Sequence, residues 1–335
     1  MSGAPRHAPR RFTPTIQETP MTHSCGHAHC HAHITNAEPH AFSLALGKVE
    51  IIRLYDTTLL GETAQSWLPD FDRTCVAEHE HWLAPTHYDP ESGRIPMPVH
   101  SWIVRTGRHT VLIDSCIGNH KDRPGLPEMH RLSTRYLERM RALGIQPEEI
   151  DYVMCSHLHA DHVGWNTQLV NGVWVPTFPN ARYVISQVEH DHLVRAIRGE
   201  GPAGPAWFKP MYNDSVLPVI EAGQATMFDD TYELDDTFLI RHAPGHSPGH
   251  VRIELSSQGS RGVFSGDMLH SPIQIPFWQW SSKVCDDREL AAKSRFELLA
   301  HCVEHGALLL PGHFEAPHAG HIVDTAGTFG IEFLR

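Results

Sequence analysis

The chain has 335 residues, of which 41% are hydrophobic, enough for one large mixed domain or two small ones with a real core. Its 39 acidic residues against 27 basic ones leave a formal charge of −12, which disfavours a nucleic-acid partner, because such binding rests on Lys and Arg neutralising phosphates. No apolar run reaches about 18 residues, so no membrane-spanning helix is expected, and seven cysteines without framework spacing read as reduced thiols of a cytoplasmic protein.

Residues 1–40 are expected to form a disordered, His-rich N-terminal segment. Pro5, Pro9, Pro14 and Pro20 break any targeting helix, and Met21 offers an alternative start. From His23 to His33 soft ligands recur without an apolar partner, so the tract reads as a solvated tail, with metal gathering as the functional alternative. Phe42–Leu46 and Val49–Leu54 predict a hairpin around Gly47-Lys48. Periodicity is then lost over 58–95, where several aromatic and proline residues suggest a long ordered loop or lid. This lid and the N-terminal arm are also where a homodimer contact would form. Strands resume at 101–105 and 109–114, a helix is expected over 132–143 with Gly144 as its stop, and Ile150–Cys155 reads as a buried strand.

Directly after that strand stands His157-Leu158-His159-Ala160-Asp161-His162, four strong metal ligands within six positions. Imidazole and carboxylate together suit zinc and related first-row ions better than calcium or magnesium. Downstream, strands are expected near 181–186, 225–228, 237–241, 251–255 and 263–265. A helix is expected over 189–198 and another over 287–304, the latter burying Leu290, Phe296, Leu298, Leu299 and Val303. Three further motifs stand at or near strand ends: Pro244-Gly245-His246-Ser247-Pro248-Gly249-His250, Ser265-Gly266-Asp267, and Leu310-Pro311-Gly312-His313.

With these motifs in this order, residues 41–335 resemble the metallo-β-lactamase-fold hydrolases. The resemblance implies one α/β domain, a four-layered αββα sandwich with the ligands on loops at one edge. It implies that His157, His159 and His246 hold one divalent ion, that Asp161, His162 and His313 hold a second, and that Asp267 bridges them. Zinc is the expected metal, with Mn²⁺, Fe²⁺ or Co²⁺ as alternatives. The bridging Asp267 points away from true β-lactamases and towards the dinuclear lactonase, phosphotriesterase and glyoxalase II branches. His270 departs from the pattern, standing where acyl-homoserine lactonases carry Tyr; its imidazole can still donate to an oxyanion. Asp114, at a strand end, is expected to support the metal loop rather than to bind metal.

A pair of ions held in this way would activate a bridging hydroxide and polarise the carbonyl it attacks, with Asp161 moving a proton. Trp165, Trp174, Phe178, Phe277, Trp278 and Trp280 are expected near the ligand loops, forming an apolar pocket without a basic clamp. The expected substrate is therefore a small hydrophobic lactone or ester. A phosphotriesterase is the alternative, and a glyoxalase II-like thioesterase, an iron-dependent sulfur dioxygenase or flavodiiron-like protein, and a metal store stand behind it.

Overall fold

The computed structural model describes residues 32–33, 42–200 and 204–334. The disorder expected for residues 1–40 and the His/Cys tract therefore lie outside the described residues, apart from the backbone at Ala32 and His33.

Six strands come first: β1 (Ala32–His33), β2 (Phe42–Leu46), β3 (Val49–Leu59), β4 (Met97–Arg105), β5 (Thr110–Ile113) and β6 (Tyr152–Met154). A two-stranded ribbon of β7 (Thr167–Val170) and β8 (Val173–Pro176) follows, and β9 (Arg182–Ser186) and β10 (Ala225–Phe228) complete the first sheet in the order β1-β2-β3-β4-β5-β6-β9-β10. The second sheet runs in simple chain order through β11 (Thr231–Leu234), β12 (Phe238–His242), β13 (Val251–Ser257), β14 (Ser260–Phe264), β15 (Leu308–Leu310), β16 (Gly320–Asp324) and β17 (Phe329–Phe333).

Hydrophobic burial divides this chain into four layers, as the resemblance implies. Leu46, Ile51, Trp102, Val104, Val111 and Ile113 of the first sheet pack on Phe238, Ile240, Val251, Ile253, Phe264 and Leu310 of the second. The opposite face of the first sheet, with Leu54, Ile103, Leu112 and Val153, is covered by Tyr136, Met140, Leu193, Phe208 and Met211 from helical segments. Leu298, Leu299 and Cys302 of helix Arg288–His305 cover Val263, Leu309 and Ile322 of the second sheet. Alternating strand residues thus face two different cores, which is why β4 is buried at nearly every position.

Local chemistry sets the boundaries. Helix Arg288–His305 starts where Asp287 accepts the N–H of Leu290 at 2.9 Å, a cap of about 1 kcal/mol, and stops at Gly306 in the left-handed region. Helix Gln187–Arg198 is capped by Ser186 and ends at Gly199. Several expectations need correction. The helix expected over 132–143 spans only Tyr136–Ala142. Phe296 is 42% exposed, and the buried stripe of the last helix instead contains Arg295, whose guanidinium donates to the carbonyls of Met268 and Trp278, each at 2.6 Å. The 58–95 stretch holds three one-turn helices, Ala64–Trp67, Arg73–Val76 and Glu80–Leu83, around a small core of Leu68, Phe71, Leu83, Tyr88 and Ile273.

Candidate metal centre and its cavity

All four motifs meet at one edge of the sandwich. The β6–β7 connection brings His157, His159, Asp161 and His162; the β12–β13 connection brings His246; the turns after β14 and β15 bring Asp267 and His313. A backbone bond from Val251 N–H to Ser156 O at 2.9 Å ties the two sheets together beside them.

Two sets of donor atoms result, His157/His159/His246/Asp267 and Asp161/His162/Asp267/His313, each within 4.8 Å of one another. Asp267 belongs to both because its oxygens point different ways. Oδ2 lies 3.3 Å from His246 Nε2 and 3.8 Å from His157 Nε2, while Oδ1 lies 3.0 Å from His162 Nε2 and 2.9 Å from His313 Nε2. Asp161 Oδ2 stands 3.7 Å from both His162 Nε2 and His313 Nε2, and His246 Nε2 is 2.9 Å from His159 Nδ1.

The far nitrogens explain this aim. Asp114 takes the N–H of Ser156 at 2.7 Å, its hydroxyl at 2.8 Å and the Nδ1–H of His162 at 2.9 Å, while His157 Nδ1 donates to Ser156 Oγ at 3.0 Å. Asp114 does so from a left-handed backbone with φ of 56°, strain that the surrounding bonds hold in place. His313 Nδ1 donates to Pro98 O at 2.9 Å. Each of these bonds leaves Nε2 as the free atom facing the cluster.

Those atoms are buried without partners: Nε2 of His157, His162 and His313, and Oδ1 of Asp267, lack any hydrogen bond. Burying such groups unsatisfied costs about 1–3 kcal/mol each, so four converging on one point fit an ion far better than an empty polar core. Nitrogen and carboxylate donors in two sets of four match zinc-like coordination. Protonation behaves consistently. Burial pushes His157 and His246 well below the usual imidazole range, and at His162 and His313 the nearby Asp267 overcomes burial and raises both. Burial alone would raise Asp267, yet the surrounding imidazoles, His162 foremost, hold it well below the carboxylate range. A cation at the second set therefore competes with protons on His162 and His313.

The cluster opens into a cavity of about 730 Å³ whose floor includes His159, Asp161, His246, Asp267 and His270. Trp67, Met97, Leu126, Trp207 and Phe208 form apolar walls. His270 is buried, with its Nε2 3.1 Å from Asp267 Oδ2 but outside hydrogen-bond geometry, so both ring nitrogens lack a partner. Burial lowers its pKa, favouring the neutral ring.

A family model described as the metallo-beta-lactamase superfamily matches residues 94–326. The chain belongs to the metallo-beta-lactamase superfamily. An N-acyl homoserine lactonase, AttM, of Agrobacterium fabrum is 29% identical over 116 residues, 34% of this chain and 39% of the relative. An N-acyl homoserine lactonase of a Bacillus species is 23% identical over 181 residues, 50% of this chain and 62% of the relative. The chain thus spans less than two thirds of either relative. Among solved structures, the hydrolase AbOPH superposes with a TM-score of 0.74 at 23% identity, covering 88% of this chain and 97% of that one. AidC, a dizinc quorum-quenching lactonase in complex with a product, gives 0.70 at 23% identity with the same coverage. At these identities the structures establish the shared fold.

Within this superfamily member the walls differ from expectation. Trp165 is buried and stacks on Tyr136 at 5.3 Å, Phe178 lies in the core beside Tyr183, and Trp174 covers the Lys121 ammonium at 3.6 Å. Phe277 and Trp280 stack on each other at 4.2 Å beneath the lid, and Trp278 packs on Phe296. None of these six lines the cavity. The walls come instead from segments distant in sequence, Trp67 of the lid and Trp207-Phe208 after helix Gln187–Arg198. Two cations do border the cavity, but Lys283 pairs with Glu62 at 2.6 Å and Arg94 donates to Gly61 O. His250, which the sequence pattern gives no role, is fully buried and accepts the Asp267 N–H at 3.1 Å, and burial takes its pKa to about 3, keeping it a neutral acceptor. A side chain at Gly266, where φ is 47°, would put its Cβ 2.8 Å from His250 Nε2 and 2.7 Å from Ser156. Glycine is therefore required for the Asp267 turn.

Proposed function

We propose that the protein is a metal-dependent hydrolase that opens a lactone bearing a hydrophobic substituent. The observation that carries this reading is Asp267, whose two oxygens face two separate ligand sets on the floor of an apolar cavity. His157, His159 and His246 would hold one ion, Asp161, His162 and His313 the other, and Asp267 both. Zinc is the metal inferred, supported by the dizinc neighbour AidC, with Mn²⁺, Fe²⁺ or Co²⁺ as alternatives. Bound there, divalent ions supply the Lewis acidity that polarises a carbonyl and acidifies water at neutral pH.

The chain's own groups perform the remaining work. Trp67, Trp207, Phe208 and Leu126 receive the apolar part of the substrate and exclude water from the floor. His270, neutral and without a partner, donates to the oxygen on which negative charge develops. Asp161 orients the attacking water and passes a proton to the departing alkoxide. The product is a hydroxy acid, and its carboxylate meets no free basic clamp, since Lys283 is engaged by Glu62; this favours release. The names of the similar proteins support a lactone: two are N-acyl homoserine lactonases, and AidC carries N-hexanoyl homoserine as product. The cysteines Cys116, Cys155, Cys285 and Cys302 are buried as free thiols, in keeping with a reducing compartment.

The test is a set of initial rates for the full chain supplied with two equivalents of Zn²⁺ or Mn²⁺. Homoserine lactones and δ-lactones are set beside an aryl ester and a phosphotriester, with His157→Ala as control. The expected result is lactone kcat/KM well above the others and lost in the control. Preference for the phosphotriester, or no metal-dependent turnover, would overturn the reading.

A further inference from the structure

The ligand imidazoles differ in what holds their far nitrogens. Those of His157, His162 and His313 rest on oxygen: Ser156 Oγ at 3.0 Å, Asp114 Oδ2 at 2.9 Å and Pro98 O at 2.9 Å. His159 faces the cluster through Nδ1 instead, and His246 differs from the other three in that its Nδ1 faces the Sγ of Cys285 at 3.7 Å. That sulfur is buried, outside any disulfide and 3.3 Å from Ser282 Oγ.

We propose that Cys285 is a positioning residue: its sulfur accepts the Nδ1–H of His246, turns Nε2 to the first ion, and makes the His157/His159/His246 position the weaker of the two. This inference rests on the two-ion reading above and assigns an order to it. A sulfur acceptor is weaker than a carboxylate or carbonyl, so it fixes the ring's tautomer while adding less to its basicity. The second ion's imidazoles, by contrast, are held by a carboxylate and a carbonyl.

Backbone contacts, rather than a mobile side chain, set the sulfur's place. Cys285 N–H donates to Ser282 O at 3.2 Å, closing its own turn, and Asp286 N–H to His246 O at 3.1 Å and Asp287 N–H to Gly245 O at 2.9 Å stitch the thiol loop to the His246 loop directly after the thiol. Gly245, at φ 128°, lies so close to helix Arg288–His305 that a Cβ there would stand 2.1 Å from Ala291 N. Only glycine permits that approach, which brings His246 down to the sulfur. The same loop carries Lys283, Val284 and Asp286 on the cavity wall, so the contact joins ligand placement to the mouth.

The test follows ion release from the zinc-loaded full chain to a chromogenic chelator. Ions held loosely elsewhere leave in the dead time, and the wild type should show two slow phases. Cys285→Ala should speed the faster of these by about 10–100-fold and leave the slower unchanged, the range typical for loss of an outer partner of a metal ligand. Cys285→Asp, with an oxygen acceptor, should slow the same phase below its wild-type rate. Cys302→Ala, removing a buried thiol of the core between the last helix and the second sheet, should alter neither phase. Unchanged release in Cys285→Ala, or equal acceleration of both phases in Cys285→Ala and Cys302→Ala, would overturn the assignment. If Cys285→Ala does not fold, Cys285→Asp decides alone: slower release supports the inference and faster release rejects it. A wild type with no slowly released ion would remove the two-ion reading itself, and this inference with it.

Discussion

The floor of the cavity and its walls are built on opposite plans. Floor residues come from short motifs at strand ends, where the turn leaving each strand already points its ligands at the same edge. Wall residues come from segments that meet only through tertiary packing: the lid at Trp67, the loop around Leu126 and the turn at Trp207-Phe208. Electrostatics differ as well. The floor gathers unpartnered donor atoms around Asp267, whereas the wall segments are anchored by a buried ion-pair network. There Arg123 forks onto Asp214 at 2.7 and 2.9 Å, and Lys121 donates to Asp214 O at 2.8 Å, joining the loop that carries Leu126 to the turn that carries Phe208. Chemistry is thus specified locally and selectivity globally.

The largest expected effect separates the two regions. His157→Ala should lower lactone kcat/KM by roughly 10³-fold, about 4 kcal/mol, with little change in the urea unfolding midpoint. A full loss of folding would mean that the floor is structural. Asp214→Asn should do the reverse, removing about 3 kcal/mol of stability in urea titrations because Arg123 and Lys121 are left buried without their carboxylate. Unaltered stability there would break the contrast.

A third expectation concerns pH. Asp56 is buried at the β-bulge of β3 beneath the wall loops, taking bonds from Thr134 and, at 3.3 Å, from Ile117 N–H; burial, opposed by these bonds, raises its pKa from 3.8 to about 6. Because the folded pKa lies above the unfolded one, the folded state binds the extra proton, and the stability this confers is present below about pH 4 and lost as pH rises through 6. Asp56→Asn, which cannot ionise, should therefore gain on the wild type by about 3 kcal/mol between pH 4 and pH 7 in urea titrations, the shift converted at 1.36 kcal/mol per unit. A pH-independent difference would contradict the assignment. The smallest effect is on the wall itself. Trp207→Ala should raise KM for a long-chain lactone about tenfold, near 1.4 kcal/mol, with kcat within about twofold, while Trp165→Phe should move neither.

The same contrast explains what was legible in the sequence. The seven candidate ligand positions stand in short motifs that the family resemblance groups, and Asp114 was recognisable through the same resemblance as a strand-end aspartate beside the metal loop. Strand cores were legible from apolar runs such as Val111-Leu112-Ile113. The wall aromatics were not, because proximity in sequence to a ligand loop does not mean proximity in space: Trp165 is three residues past His162 yet turns into the core against Tyr136. Cys285 gave no signal either, since its contact with His246 crosses 39 positions and depends on Gly245 lying against the last helix. Arg295 shows the limit in another form: its place in the buried stripe follows from backbone carbonyls left by the Met268 and Trp278 turns, which no helical periodicity reveals.

The central claim is that Asp267 joins two ions on this floor. Anomalous diffraction at the zinc edge from crystals of the zinc-loaded protein tests it most directly. Two peaks are predicted, one bounded by His157, His159 and His246 and the other by Asp161, His162 and His313, each nearest a different oxygen of Asp267. A single peak, or none within reach of Asp267, would contradict the account.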